Sequence, residues 1–417
     1  MSLGNAKSQE SRDRLAICPK QSLRSPSYSG KRHTERLSRA RAAITGDRRR
    51  FRSYNATNSR RTLGGKQILT AQPLLFDDDI EQPPADEDED IARIIAIVRQ
   101  TLERQRKRNG HSRRDVHVKA HGCATAEFKV RPELPAQLAQ GLFAQPKTYA
   151  AFVRFSNSAP WHQPDAIPDG RGMALQVENG LAPRINAVDS SRTQDFVMVN
   201  HTTFIARDVR DYLRLEEARL QAALHPARLA AKLLTKACNP LRWRWRALLA
   251  AARVAGQAPS HPANYTYYSM VPIRFGRYVV KYRVIPCSQQ SSSVLGKLAT
   301  FGLQADAMRH LLEDTLSQQE IKFDFQVQLR TSAQSMPIED ATIEWPESES
   351  PYQTVAELIL PRQNVSGLRT NEEGDRRAFS VWNGLADHRP LGGINRSRRL
   401  AYVASAEFRS AQPRLNG

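Results

Sequence analysis

Between residues 113 and 208 the chain alternates apolar and polar side chains in four separate runs, and this constrains its fold more than any other feature. The runs are RRDVHVKAHGCATAEFKV, AAFVRFSN, GMALQV and QDFVMVN. A period of two places successive side chains on opposite faces of a strand, so each run reads as a strand with one face buried. The stretches between them carry the Pro, Gly and Asp that break strands into turns. Polar residues recur inside the runs: His117, Arg154 with Ser156, an Asp-Gly-Arg-Gly turn at 169–172, and Asn200. Chemistry favours side chains mounted on packed strands, because a rigid support preserves their geometry.

The remaining chain extends this pattern. Strands are expected at 116–130, 148–157, 173–177 and 196–204, then at 265–270, 277–285, 321–329 and 355–360. A short helix is expected at 134–143. From Ile91, IARIIAIVRQTLERQRKR has apolar residues at helical spacing and a basic end, which predicts an amphipathic helix. The acidic run DDDIEQPPADEDED ahead of it suits a helix N-terminus. Helix is also expected over 212–253, broken at Pro226 and Pro240, and at 310–317. Within 242–246 Trp243 and Trp245 alternate with arginines. That pattern fits rings packed on the body of the domain with guanidinium heads reaching outward, or a peripheral membrane contact.

The net charge of +20 is unevenly spread: residues 1–70 hold 17 Lys/Arg against 4 Asp/Glu. Basicity therefore belongs mainly to a Ser- and Arg-rich tail without hydrophobic period, which reads as disordered. No stable nucleic-acid partner is expected for the body of the chain. Cys18, Cys123, Cys238 and Cys287 are scattered without a Cys-x-x-Cys pair, which argues against a disulfide framework or a zinc site. Cys123 is expected to be a buried strand residue. With no apolar leader segment and no apolar run of 18 residues, a cytoplasmic protein is expected. Nucleotide-binding, zinc-protease and serine-hydrolase motifs are absent. The domain organisation read from these features is a basic tail (1–75), an acidic linker with an amphipathic helix (76–109) and a main domain (110–417).

Four separated motifs then give the chain a resemblance. Arg114, Val116, His117 and Lys119 fit Arg-x-Val-His-x-Lys; Val153, Arg154, Phe155 and Ser156 fit Val-Arg-Phe-Ser. Asp169, Arg171, Gly172 and Ala174 fit Asp-x-Arg-Gly-x-Ala. Arg398 and Tyr402 fit Arg-x-x-x-Tyr, with Arg409 seven residues beyond. In order and at similar spacing, this set resembles the catalase superfamily over about residues 110–410. The resemblance implies an α+β fold: an antiparallel β-barrel with surrounding helices. It also implies haem b, a small-molecule peroxide as substrate, and a homo-oligomer as a possible assembly.

In that resemblance Tyr402 ligates the iron. A phenol ionises only near pH 10, and a cation one helical turn away lowers that value, which gives Arg398 a physical role. His117 is the distal base that moves a proton between peroxide oxygens, Ser156 orients its ring, and Asn200 holds the peroxide. Arg114, Arg154 and Arg409 meet the two haem carboxylates, and Phe204 lies against the porphyrin. Two registers stay open. His121 competes with His117, because the run from His117 to Phe128 is one residue longer than in large catalases. Counting from Asp195 places Val199 at the amide position, whereas counting through Asn-x-Thr-x-Phe places Asn200 there. The activity implied is catalase- or peroxidase-like. Conversion of lipid hydroperoxides, as in allene oxide synthases, and haem binding without catalysis are the alternatives.

Overall fold

The computed structural model describes residues 72–109, 114–181, 183–185, 192–221, 259–290, 305–366 and 368–410. All of them belong to one compact unit that begins at Leu69. Residues 1–71 of the basic tail and the Trp/Arg segment at 242–246 lie outside the described residues, whereas Leu74 and Leu75 already pair with the main domain.

Nine strands form a single antiparallel sheet: β1 (Ala120–Val130), β2 (Thr148–Asn157), β3 (Arg171–Glu178), β4 (Thr193–Val199), β5 (Tyr267–Tyr268), β6 (Ile273–Phe275), β7 (Tyr278–Pro286), β8 (Ile321–Leu329) and β9 (Gln353–Leu360). Their spatial order is β5-β4-β3-β2-β1-β9-β8-β7-β6, and β5 also pairs with β7. That second pairing, Tyr267 opposite Val284, closes eight strands into a barrel and leaves β6 as a hairpin arm on β7. Closure removes the exposed edges that an open sheet would present.

Alternation along the strands fills the barrel. Phe128, Phe155, Phe196, Phe323 and Phe325 are fully buried inside with Tyr267 and Tyr282. Phe325 lies at the centre of the ring cluster, 4.8 Å from Phe196, 5.3 Å from Phe128 and 5.6 Å from Tyr282. Leu312 and Leu316 of helix α3 (Ala307–Gln318) join the same core from one side.

A second layer covers the outside. Helix α1 (Glu87–Asn109) begins on four acidic residues and buries Ile91, Ile94, Val98 and Leu102. Those side chains pack against Val209 and Leu213 of α2 (Val209–Gln221) and Phe408 of α5 (Gly393–Ser410). Helix α4 (Leu368–Arg376) lies on β1. Its Gly374 makes the approach feasible: an added Cβ would sit 2.1 Å from Cys123 Sγ. Cys123 is buried as expected, and burial pushes its thiol up to about 11.

The segment 134–143 does not form the expected helix. Only Gly141–Phe143 makes a 3-10 turn, because Pro132 and Pro135 restrict the backbone ahead of it. The strand expected to reach residue 204 ends at Val199, where the chain turns away from the sheet. Of the helix expected over 212–253, the described part is α2, and the rest lies outside the described residues. No helix among the described residues is long and apolar enough to cross a membrane.

Candidate active site

β2 decides which side chains meet. Val153 and Phe155 point into the barrel core, so Phe152, Arg154 and Ser156 share the outer face. The ladder sets Ser156 opposite Gly172 of β3, and Gly172 opposite Val199 of β4. His117 stands over this row. Its Nδ1 lies 3.1 Å from Ser156 Oγ, and a Cβ added to Gly172 would fall 2.6 Å from the same nitrogen. Glycine at 172 is therefore the space in which the imidazole sits. His117 itself has φ 57°, a left-handed conformation that a non-glycine residue holds only when its surroundings fix it. Arg154 contributes by donating from Nη2 to the His117 carbonyl at 3.0 Å.

Burial first, and then the charges of Arg154, Arg398 and Arg114, hold the His117 imidazole down to about 4, so the ring is neutral near pH 7. These charges bring the two sequence-distant halves of the motif set together. Arg398 on α5 acts on a histidine that lies before β1. The positive charge acting on the ring has little carboxylate to offset it: the carboxylate partner of Arg154 is Asp375, 3.8 Å away and largely exposed. Arg154 is 3% exposed, and its Nε has no hydrogen-bond partner. Arg114 donates to the Gly374 and Arg377 carbonyls at 2.9 and 2.8 Å, at the end of α4.

On the other side, Arg398 lies 5.6 Å from the centroid of Phe204, whose ring meets Tyr212 edge-on. Arg398 and Tyr402 are one turn apart on α5, and both are half-buried. Arg409 falls in the last turn of α5, and its side chain lies outside the described residues. Asn200 follows the last residue of β4. Its backbone N–H donates to the Arg171 carbonyl at 2.9 Å, and its Oδ1 accepts from Arg171 N at 2.7 Å. Val199, not Asn200, is the residue directly across the ladder from Gly172.

His121 occupies a different environment from His117. It is 1% exposed, 3.5 Å from Asp165 Oδ1, and burial followed by the charges of Arg171 and Lys119 holds it far below the usual histidine range. Among the two, only His117 is bonded to Ser156. His388 and Trp382 hold structure: His388 Nε2 accepts from Leu142 N at 3.0 Å, and Trp382 Nε1 donates to the Asn395 carbonyl at 2.7 Å.

Comparison with known proteins gives three solved structures over most of this chain. A fungal catalase matches at 16% identity with a TM-score of 0.56, covering 73% of this chain and 60% of that one. Catalase A from Saccharomyces cerevisiae matches at 17% and 0.57, covering 73% and 62%. A bacterial catalase matches at 17% and 0.54, covering 84% and 68%. The fold is that of the catalases. No family model and no curated protein matches the sequence. The chain spans about three fifths of the length of the first two catalases.

Within the catalase fold, the extra residue between His117 and Phe128 has a place. The β1–β2 ladder runs from Ala120↔Ser156 to Gly122↔Phe155, so His121 is the additional residue of a β-bulge. Sequence reading did not anticipate the Asp195 network. Asp195 is 2% exposed and accepts from Gln176 Nε2, Thr193 Oγ1, Ser380 N and Asn383 Nδ2. It pins the FSVWN segment that leads to α5. A carboxylate at the inner end of a strand followed by Ser-x-x-Asn was the signal available. Burial raises this carboxyl to about 6.

Proposed function

We propose that this chain is a haem enzyme that turns over peroxides, with Tyr402 as the iron's protein ligand. The single observation that carries the reading is the His117 constellation: an imidazole bonded to Ser156, seated over Gly172, and held neutral by burial and by the charges of Arg154, Arg398 and Arg114. The donor chemistry fits a haem. One phenol with an arginine a turn before it suits iron ligation, and a buried guanidinium with an unpartnered Nε suits a carboxylate. Six large apolar side chains are exposed among the described residues, and four of them adjoin these positions: Val116 beside His117, Ile205 beside Phe204, and Leu400 and Val403 around Tyr402.

When bound, haem b supplies the redox chemistry that breaks the peroxide O–O bond. The protein's part is proton handling and orientation. With Nδ1–H donating to Ser156 Oγ, the His117 Nε2 lone pair accepts a proton from one peroxide oxygen and returns it to the other. Asn200, its Oδ1 anchored on the Arg171 amide, offers Nδ2 as the peroxide donor. Arg398 stands one turn before Tyr402 on α5, where a cation would sit beside the iron's ligand. Arg114, Arg154 and Arg409 would meet the haem carboxylates, and Phe204 would pack against the ring. Val116 and Ile205 favour an organic hydroperoxide as the second reading.

Steady-state turnover of hydrogen peroxide and of a fatty-acid hydroperoxide by haem-loaded protein is the test. His117→Ala is expected to lower kcat at least about 100-fold on the preferred substrate, the scale set by general acid–base catalysis, with haem content unchanged. Equal turnover by the variant would contradict the role of His117.

A further inference from the structure

The loop that carries His117 has few bonds of its own. His117 N donates to the Ser158 carbonyl and Val118 N to the Ala159 carbonyl, each over 3.4 Å, the long end for such a bond. Val116, just before them, is exposed. A left-handed His117 nevertheless demands a loop that is firmly held. Two residues before it, Asp115 is buried, and both its carboxylate oxygens accept from Arg219 Nη2 at 3.0 Å. Arg219 lies in the last turn of α2 and is 7% exposed. The far end of the loop is held at Lys119, whose N–H donates to Asn157 Oδ1 at 3.1 Å.

We propose that Arg219 is a positioning residue for His117: by gripping Asp115 it fixes the loop on which the imidazole stands over Ser156. Helix α2 is suited to the task because its other end reaches the opposite half of the site. Its Tyr212 ring meets Phe204 at 5.5 Å, and Phe204 carries the Arg398 guanidinium. One helix thus sets the spacing between the base and the residues near Tyr402. The competing role for Arg219 is neutralisation of Glu216, with which it also pairs at 2.5 Å. Glu216 is buried beside Tyr212 and interacts with Arg219 and with the Asp115 carboxylate, but among the described residues it makes no bond to the His117 loop backbone.

The two roles separate experimentally, and the test needs no haem, so its outcome is independent of the peroxide reading on which the word base rests. In the full-length protein, the His117 imidazole is titrated by NMR, with His388 as an internal reference. The groups acting on His117 are Arg154, the Asn157 backbone, Arg398 and Arg114, with Ser156 at Nδ1, and none is altered. Arg219→Gln is expected to release the loop and move the His117 midpoint from about 4 towards 6.5, leaving His388 in place. Asp115→Asn should reproduce that shift, the double variant should add nothing to it, and Arg219→Lys should restore part of it. Glu216→Gln should leave His117 unmoved. An unchanged His117 midpoint in folded Arg219→Gln, a parallel shift of His388, or a shift produced by Glu216→Gln and not by Asp115→Asn would each overturn the proposal. In haem-loaded protein the same Arg219→Gln change should lower kcat about 100-fold, the effect of a small misplacement of a catalytic group. Failure of wild-type protein to take up haem would remove the peroxide reading and leave the NMR result standing.

Discussion

At the scale of single residues, His117 combines a strained backbone, a bond to Ser156 and a ring held neutral by burial and arginines. The sign of the resulting pH dependence follows from linkage. Unfolded, the ring takes up a proton below about pH 6.5. Folded, it does so only below about 4. Between those values the unfolded state binds more protons, so stability falls as the pH drops from 6.5 to 4 and is unaffected by this group above 6.5. The full effect amounts to about 3 kcal/mol at 1.36 kcal/mol per pH unit. Denaturant titrations of wild type and His117→Phe at pH 7 and pH 4.5 check it: the difference between the two proteins should narrow or reverse towards low pH. Identical pH slopes would contradict the depressed midpoint. Motif register made His117 and Ser156 legible beforehand, whereas the Gly172 cradle depends on a cross-strand neighbour that no local pattern reveals.

At the scale of elements, α5 carries the Arg398 and Tyr402 pair and is anchored at its first turns. Arg396 meets Glu87 of α1 at 2.5 Å, Glu81 at 2.6 Å and Glu339 at 2.9 Å, and its guanidinium is held more firmly protonated than usual. Glu87 is 6% exposed, so removing the arginine would strand a buried carboxylate. Arg396→Met is expected to cost about 3–5 kcal/mol, the scale for breaking a buried pair from one side. Thermal denaturation reads this out, and a loss under about 1 kcal/mol would mean the cluster is merely a solvated surface network. Strand β8 was readable to the residue, because IKFDFQVQL alternates without interruption. The expected helix at 134–143 failed for a local reason, since Pro135 disfavours helical backbone at Leu134 and Gly141 takes a left-handed φ of 54°. The bulge at His121 was visible only as a length mismatch, because its meaning depends on pairing with β2. The Arg396 cluster joins residues more than 300 positions apart, which no sequence pattern announces.

At the scale of the whole molecule, a closed barrel gives the site a rigid wall, and three outer helices supply the other side. α1, α2 and α5 pack on one another, so the arginine and tyrosine of α5 are set relative to the barrel by the same cluster that buries Ile94 and Val98. The barrel was implied by the motif resemblance, and the recurring alternating strands fitted it without demanding it. Its closure through the two-residue β5 was not, because so short a strand carries no periodic signal. The functional account rests on a haem held by Tyr402. The most direct measurement is the absorption spectrum of protein reconstituted with haem b, compared between wild type and Tyr402→Phe. A Soret band with high-spin ferric features in wild type, shifted or lost in the variant at equal folding, is the expected result. A wild-type protein that takes up no haem, or a variant with an unchanged spectrum, would contradict it.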